Sequence, residues 1–253
     1  MRVLTILEQN YLRFTPTTTM AKVALCTCVY NRNDYFRDYL ESVSRQTFKD
    51  FTLYVWDDGS EEDTKSVIDE YKDKIDIVVK YAKPIHVIGT VKNYVVNMAL
   101  KDNPTYIQMT DCDDLLEATM LERMVKEMED TGADFAVCDG VTFGDDGVKS
   151  IQNDLNDEIG IGATAKLVER ENPFFSWAMF RAGVLREQNY RVGMKHFEDW
   201  DLYLRLFRAK RKYSIVREEL YNYRTHGEQF HRVTDRDFEK HRENMWEINN
   251  MEE

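Results

Sequence analysis

Residues 106–116 read YIQMTDCDDLL, an apolar run of strand character that stops abruptly at Asp111, Asp113 and Asp114. Carboxylates collected where a buried strand ends need a strong physical reason. In an open α/β sheet, ligands bind in the crevice beyond the carboxyl ends of the strands, and clustered carboxylate oxygens there suit a hard divalent cation. Asp111 and Asp113 are two residues apart, so both can turn into such a crevice while Cys112 points away. The stretch therefore predicts a site for a metal ion and a diphosphate.

Around it the chain alternates strand and helix signals from residue 22 onward, which predicts a mainly parallel sheet with helices on both faces. Strands are expected at residues 23–30, 51–56, 75–81, 134–143 and 213–223. Between them Tyr35, Phe36, Tyr39, Leu40 and Val43 fall at helical spacing, as do Met120, Leu121, Met124, Val125 and Met128 ahead of Gly132, a favoured helix stop. The strand at 51–56 ends in Asp57, Asp58, Gly59 and Ser60, and Ser60 with Asp63 reads as a capping box. In residues 196–206, HFEDWDLYLRL, the apolar spacing places Glu198 and Asp199 at a helix N-terminus, where the helix dipole favours ionised carboxylates.

Composition limits the partners. With 34 Lys and Arg against 46 Asp and Glu, a net charge of −12, the chain repels nucleic acid and anionic lipid at long range. Small or neutral partners are expected, with at most peripheral membrane contact through the basic residues of 205–217. At 253 residues and 43% hydrophobic content the chain can build a substantial core. Cys26, Cys28, Cys112 and Cys138 lie in or beside apolar runs without the pairing of a zinc site, and read as buried thiols of a reducing, cytoplasmic protein. No run is long and apolar enough for a membrane span. Residues 1–21 read as an N-terminal extension, residues 144–165 as loops around short strands, and residues 233–253 as a C-terminal helical tail.

Each acidic cluster also has a plain structural reading. Asp57, Asp58 and Ser60 suffice for a turn and a cap, Asp113 or Asp114 for a cap, and Glu198 with Asp199 for helix-end acids. The coincidence decides: two separate strands end in carboxylate pairs on what should be one sheet edge.

The blocks KVALCTCVYNRNDYFRDYLESVSRQTFKDFTLYVWDDGSEEDT, GTVKN, TDCDD, MFRAGVL and FEDWDLYLRL, in that order, closely resemble glycosyltransferase family 2, over residues 22–232. The resemblance implies an α/β, GT-A fold, a Rossmann-like, mostly parallel sheet flanked by helices. Residues 22–116 would form its nucleotide-sugar-binding half and 117–232 its acceptor-binding half. It also implies an inverting transferase that uses Mn2+ or Mg2+ to move a sugar from a nucleotide-diphospho-sugar, most often a UDP-sugar, onto a carbohydrate or other hydroxyl-bearing acceptor.

Carried over by position, Asp58 resembles the carboxylate that binds the nucleotide base, with Tyr30 and Asn31 lining its pocket. Cys28 stands where members often have Pro or Thr. Lys92 occupies a basic position suited to offset diphosphate charge, Asp111 would face the ribose, and Asp113 would hold the metal. Asp199 matches the general base, with Glu198 as the fallback, and His226 resembles a histidine that approaches metal or diphosphate. Trp177, beside Phe174, and Trp200 are the aromatic candidates for the acceptor side. Two other classes fit parts of the pattern: a non-catalytic nucleotide-sugar-binding module, and a haloacid-dehalogenase-like phosphatase, whose aspartates would normally sit near the chain start.

Overall fold

A computed structural model describes residues 11–13, 21–61, 63–144, 149–151 and 177–226, together with Val168, Asn172, Phe174, Lys240 and Glu243. The strands are β1 (Leu12–Arg13), β2 (Val23–Val29), β3 (Phe51–Asp57), β4 (Ile77–Tyr81), β5 (Tyr106–Met109), β6 (Leu115–Leu116), β7 (Phe135–Gly144), β8 (Lys149–Ile151), β9 (Ala178–Arg181) and β10 (Tyr213–Thr225). The helices are α1 (Asn33–Ser44), α2 (Thr64–Asp69), α3 (Ile88–Leu100), α4 (Met120–Thr131), α5 (Ala182–Glu187) and α6 (Glu198–Arg208).

The ten strands among the described residues belong to one sheet, ordered β1-β4-β3-β2-β5-β9-β7-β10-β6, with β8 alongside β7. β4, β3, β2 and β5 are mutually parallel, as are β7 and β10, and β9 joins the two sets by running antiparallel to both β5 and β7. The expected extension contributes to this sheet, since Leu12 and Arg13 pair antiparallel with Val79 and Val78 at its edge. The expected tail at 233–253 and most of 144–165 lie outside the described residues.

β2, VALCTCV, is buried along nearly its whole length, as a central parallel strand covered on both faces must be. The strand period of two divides its side chains. Val23 and Leu25 pack under α1, α2 and α4, whereas Ala24 and Cys26 face α3, α5 and α6. Cys112, expected to turn away from the crevice, joins the first of these cores yet also borders the cleft. α1 inserts Phe36, Tyr39, Leu40 and Val43, and α4 inserts Met120, Leu121, Met124, Val125 and Met128, as their spacing predicts, whereas Tyr35, expected in the first stripe, is only half-buried and lies against His226. Gly132 ends α4 in the left-handed conformation at φ 64°.

The cap of α2 differs from the expected box. Asp63 is the N-cap and accepts from the Ser66 amide at 3.1 Å, while the Ser60 hydroxyl accepts from the Asn31 amide at 3.1 Å. Ser60 thus ties the end of β3 to the end of β2. Each βα unit brings a strand's carboxyl end and the next helix's N-terminus to one edge of the sheet, and the acidic residues collect there.

Candidate active site

At that edge a cleft of about 500 Å3 is lined by Asp58, Asp111, Asp113, Glu198 and Asp199, together with Cys28, Tyr30, Arg32, His86, Lys92, Lys195, His196 and Tyr223. Carboxylates more than 80 residues apart in the chain therefore share one cavity, as the strand-end coincidence predicts.

Asp58 follows β3 and is buried. Its two carboxylate oxygens accept from the backbone amides of Ile85, at 2.9 Å, and His86, at 2.8 Å, fixing the segment between β4 and α3. Gly59 makes this turn possible: its φ is 82°, and a Cβ there would lie 2.6 Å from the Pro84 ring. His86 meets the exposed Tyr30 edge to face at 4.5 Å, so two aromatic rings border the cleft above Asp58. Asn31 is not among the lining residues. Its side-chain carbonyl instead accepts from the Glu61 amide at 2.8 Å and holds the turn behind Tyr30.

Lys92, in the first turns of α3, is buried and donates to Glu198 at 2.8 Å, with Asp111 at 3.5 Å. Burial alone would lower its pKa, but the Asp111 and Glu198 carboxylates overcome that and hold the ammonium well above its usual value. Lys92, expected to offset diphosphate charge, lines the cleft and already faces two protein carboxylates there. Glu198 is buried by the same pairing. Asp199 is partly accessible; its Oδ1 accepts from the Trp200 amide at 2.7 Å, within the first turn of α6. Both candidate bases line the cleft; Glu198 pairs directly with Lys92, and Asp199 is among the carboxylates whose charge also acts on that lysine.

The D-C-D-D turn is held from below by β10. Asp114 is fully buried and accepts from the Tyr221 hydroxyl and the Arg224 amide, both at 2.8 Å. Burial, with Asp113 and Asp111 close by, pushes its carboxyl well above the ordinary carboxylate range. Tyr221 in turn accepts from the Asp111 amide at 3.0 Å. The Arg224 guanidinium donates to the Asp113 carbonyl at 2.8 Å and lies between the rings of Tyr35 and Phe143, each 4.8 Å away. These contacts aim the Asp113 carboxylate, whose Oδ2 is 3.0 Å from His226 Nε2.

Among the described residues no three His, Cys, Asp or Glu side chains already form a metal cluster. The Asp113 carboxylate is the kind of oxygen ligand that suits Mn2+ or Mg2+, ions that take one or two carboxylates with substrate phosphates completing the set; the His226 imidazole beside it is a softer donor.

Trp177 and Trp200 are core residues, which removes both from the acceptor side. Their indole N–H groups donate to the carbonyls of Cys138, at 3.1 Å, and Val168, at 2.5 Å. Trp177 stacks on Tyr221 at 4.2 Å, and Phe174 is buried among Phe135, Tyr203 and Phe207. Arg32, His86, Lys195, His196 and Tyr223 went unforeseen as lining residues; Arg32 stands inside a quoted block and His196 beside one, but at positions that no spacing marks.

This sheet order, with its carboxylates at the strand ends, is the GT-A architecture of nucleotide-sugar transferases. The chain belongs to glycosyl transferase family 2, whose family model matches residues 24–188. Glu198, Asp199 and His226 lie beyond that match. The chain is 27% identical over 217 residues to the provisionally named glycosyltransferase EpsH of Bacillus subtilis (strain 168), covering 81% of this chain and 61% of EpsH. Among solved structures it resembles S. aureus TarS 1–349 in complex with UDP-GlcNAc (TM-score 0.71, 17% identity, 88% of this chain and 65% of that one). It also resembles the mannosyltransferase PcManGT of Pyrobaculum calidifontis in complex with GDP-Man and Mn2+ (TM-score 0.63, 15% identity, 85% and 60%). At these identities the solved structures speak for the fold. No described helix is long and apolar enough to cross a membrane.

Proposed function

We propose that the protein is an inverting glycosyltransferase that moves a sugar from a nucleotide-diphosphate sugar, with a UDP-sugar as first candidate, to an acceptor hydroxyl. The observation that carries this reading is the single cleft shared by Asp58, Asp111, Asp113 and Asp199. Family membership sets the phosphatase alternative aside. The UDP-GlcNAc bound in TarS makes a UDP-sugar the natural donor to try first, and the Mn2+ beside GDP-Man in PcManGT supports a metal requirement.

In this mechanism Asp58 accepts the base's N–H while Tyr30 and His86 flank the ring, and Asp111 faces the ribose. Asp113, with His226 beside it, would hold the divalent ion, which when bound would supply stabilisation of the negative charge on the departing diphosphate. Asp199 takes the proton of the acceptor hydroxyl as its oxygen bonds to the anomeric carbon. The bond from that carbon to the diphosphate oxygen breaks with its electron pair, and in-line geometry inverts the centre. Lys92 keeps Asp111 and Glu198 from adding repulsion against the incoming diphosphate.

A thermal-shift screen of nucleotide-sugars with and without Mn2+, followed by assay of nucleoside-diphosphate release, tests the reading. A donor at one hundred times its Kd adds about 2.7 kcal/mol of stability, easily seen in a chain of this size. Binding without turnover across an acceptor panel would favour a non-catalytic module instead.

A further inference from the structure

Asp201, the last acid of the EDWD run, does not line the cleft. Its side chain has 0% exposure, where a lone carboxylate is not tolerated. Two arginines compensate it: Arg191 Nε donates to Oδ1 at 3.1 Å and Arg205 Nε to Oδ2 at 2.9 Å. Arg205 lies one turn further along α6 and also donates to the Asn189 carbonyl at 2.9 Å. Arg191 opens the approach loop, residues 191–197, which carries Lys195 and His196 to the cleft.

That loop ends at Phe197 with φ 59°, a left-handed conformation that a bulky residue keeps only when its surroundings impose it. The Asp201 amide donates to the Phe197 carbonyl at 2.9 Å. Backbone and side chain of Asp201 thus both restrain the entry to α6, directly before Glu198 and Asp199. From the opposite side α3 holds the same loop: the Gly89 amide donates to the Met194 carbonyl, and the Gly193 amide to the Thr90 hydroxyl, each at 2.9 Å. A Cβ on Gly89 would lie 2.6 Å from the Arg191 carbonyl, so loop and helix touch backbone to backbone. A buried ion pair is seldom worth more to stability than an apolar pair of the same shape, and this one connects the approach loop to the helix carrying the reactive acid.

We propose that Asp201 is a positioning residue for group transfer: through Arg191 it fastens the approach loop to α6 and so orients Asp199 toward the acceptor hydroxyl. This inference rests on the reading of Asp199 as the acceptor's base. Arg191→Met is the variant of choice because Asp201 keeps its bonds to Arg205 and the buried charge stays compensated. Hydrogen exchange followed by mass spectrometry should show amides of residues 191–197 exchanging about tenfold faster than in the wild type, with the part of α3 beyond Thr90 unchanged. Transfer should lose about tenfold in kcat while the donor KM stays put, and Arg191→Lys should fall between.

Unchanged protection of residues 191–197 in Arg191→Met would overturn the tether whatever the enzyme's turnover. A loosened loop with wild-type kcat would overturn the positioning role. The exchange arm needs no substrate, so its failure is distinguishable from a failure of the transferase reading.

Discussion

Lys92 on α3 and Glu198 on α6, 106 residues apart, meet at 2.8 Å with side chains only 4% exposed. This pair joins the half of the chain that carries Asp58 and Asp111 to the half that carries Asp199. Two halves of a cleft held by one buried ion pair should respond together when it is broken.

Lys92→Met leaves Glu198 and Asp111 without their cation and should cost about 3–5 kcal/mol in urea unfolding, with Lys92→Met/Glu198→Gln recovering part of the loss. The pH dependence follows from the raised pKa. A lysine whose folded pKa lies above its unfolded value contributes stability fully below the unfolded value, about 10.4, and loses it as pH rises through the folded one. The gap between wild type and variant should therefore be constant between about pH 6 and 9 and narrow only beyond about 10.4.

Asp199→Asn should retain nucleotide affinity and lose roughly 10² to 10⁴ in transfer rate, measured under saturating donor. Glu198→Gln, by contrast, should act first on stability, since Glu198 is committed to Lys92. Retained turnover in Asp199→Asn would reassign the base.

Asp58→Ala removes the acceptor for the Ile85 and His86 amides as well as the proposed contact to the base. Nucleoside-diphosphate affinity should fall by about 1–3 kcal/mol, read by calorimetry, because the N–H of the base loses its proposed acceptor, and stability should fall as well because two amides at the pocket wall lose theirs.

The four thiols are unpaired by disulfides, and burial raises the pKa of each. Cys28 borders the cleft, yet burial dominates and holds its thiol in the unreactive, protonated form. At about pH 8 iodoacetamide should modify the folded protein slowly and all four cysteines rapidly in denaturant. Fast labelling of Cys28 in the folded protein would contradict this.

Local pattern reached far in this chain. The stripes of α1 and α4, the Gly132 stop and the strand that ends just before Asp111 are short-range signals, and they appear close to where spacing puts them. The convergence of the acids followed because parallel strands deliver their carboxyl ends to one edge. Pairings across the fold were not legible: nothing near Lys92 announces Glu198, and nothing near Asp114 announces Tyr221 or Arg224. Trp177 and Trp200 misled for a related reason, since an indole packed under a sheet and one offered to a sugar have the same neighbours in sequence. The cap of α2 went to Asp63 because the Ser60 hydroxyl was taken by Asn31.

The most direct test of the account is calorimetric titration of UDP into wild type and Asp113→Asn, each with and without Mn2+. The account predicts that Mn2+ tightens binding to the wild type by at least about tenfold, roughly 1.4 kcal/mol, and that Asp113→Asn binds UDP with no such gain. Equal Mn2+ enhancement in both proteins would contradict the assignment of Asp113 as the metal-holding carboxylate of a nucleotide-diphosphate site.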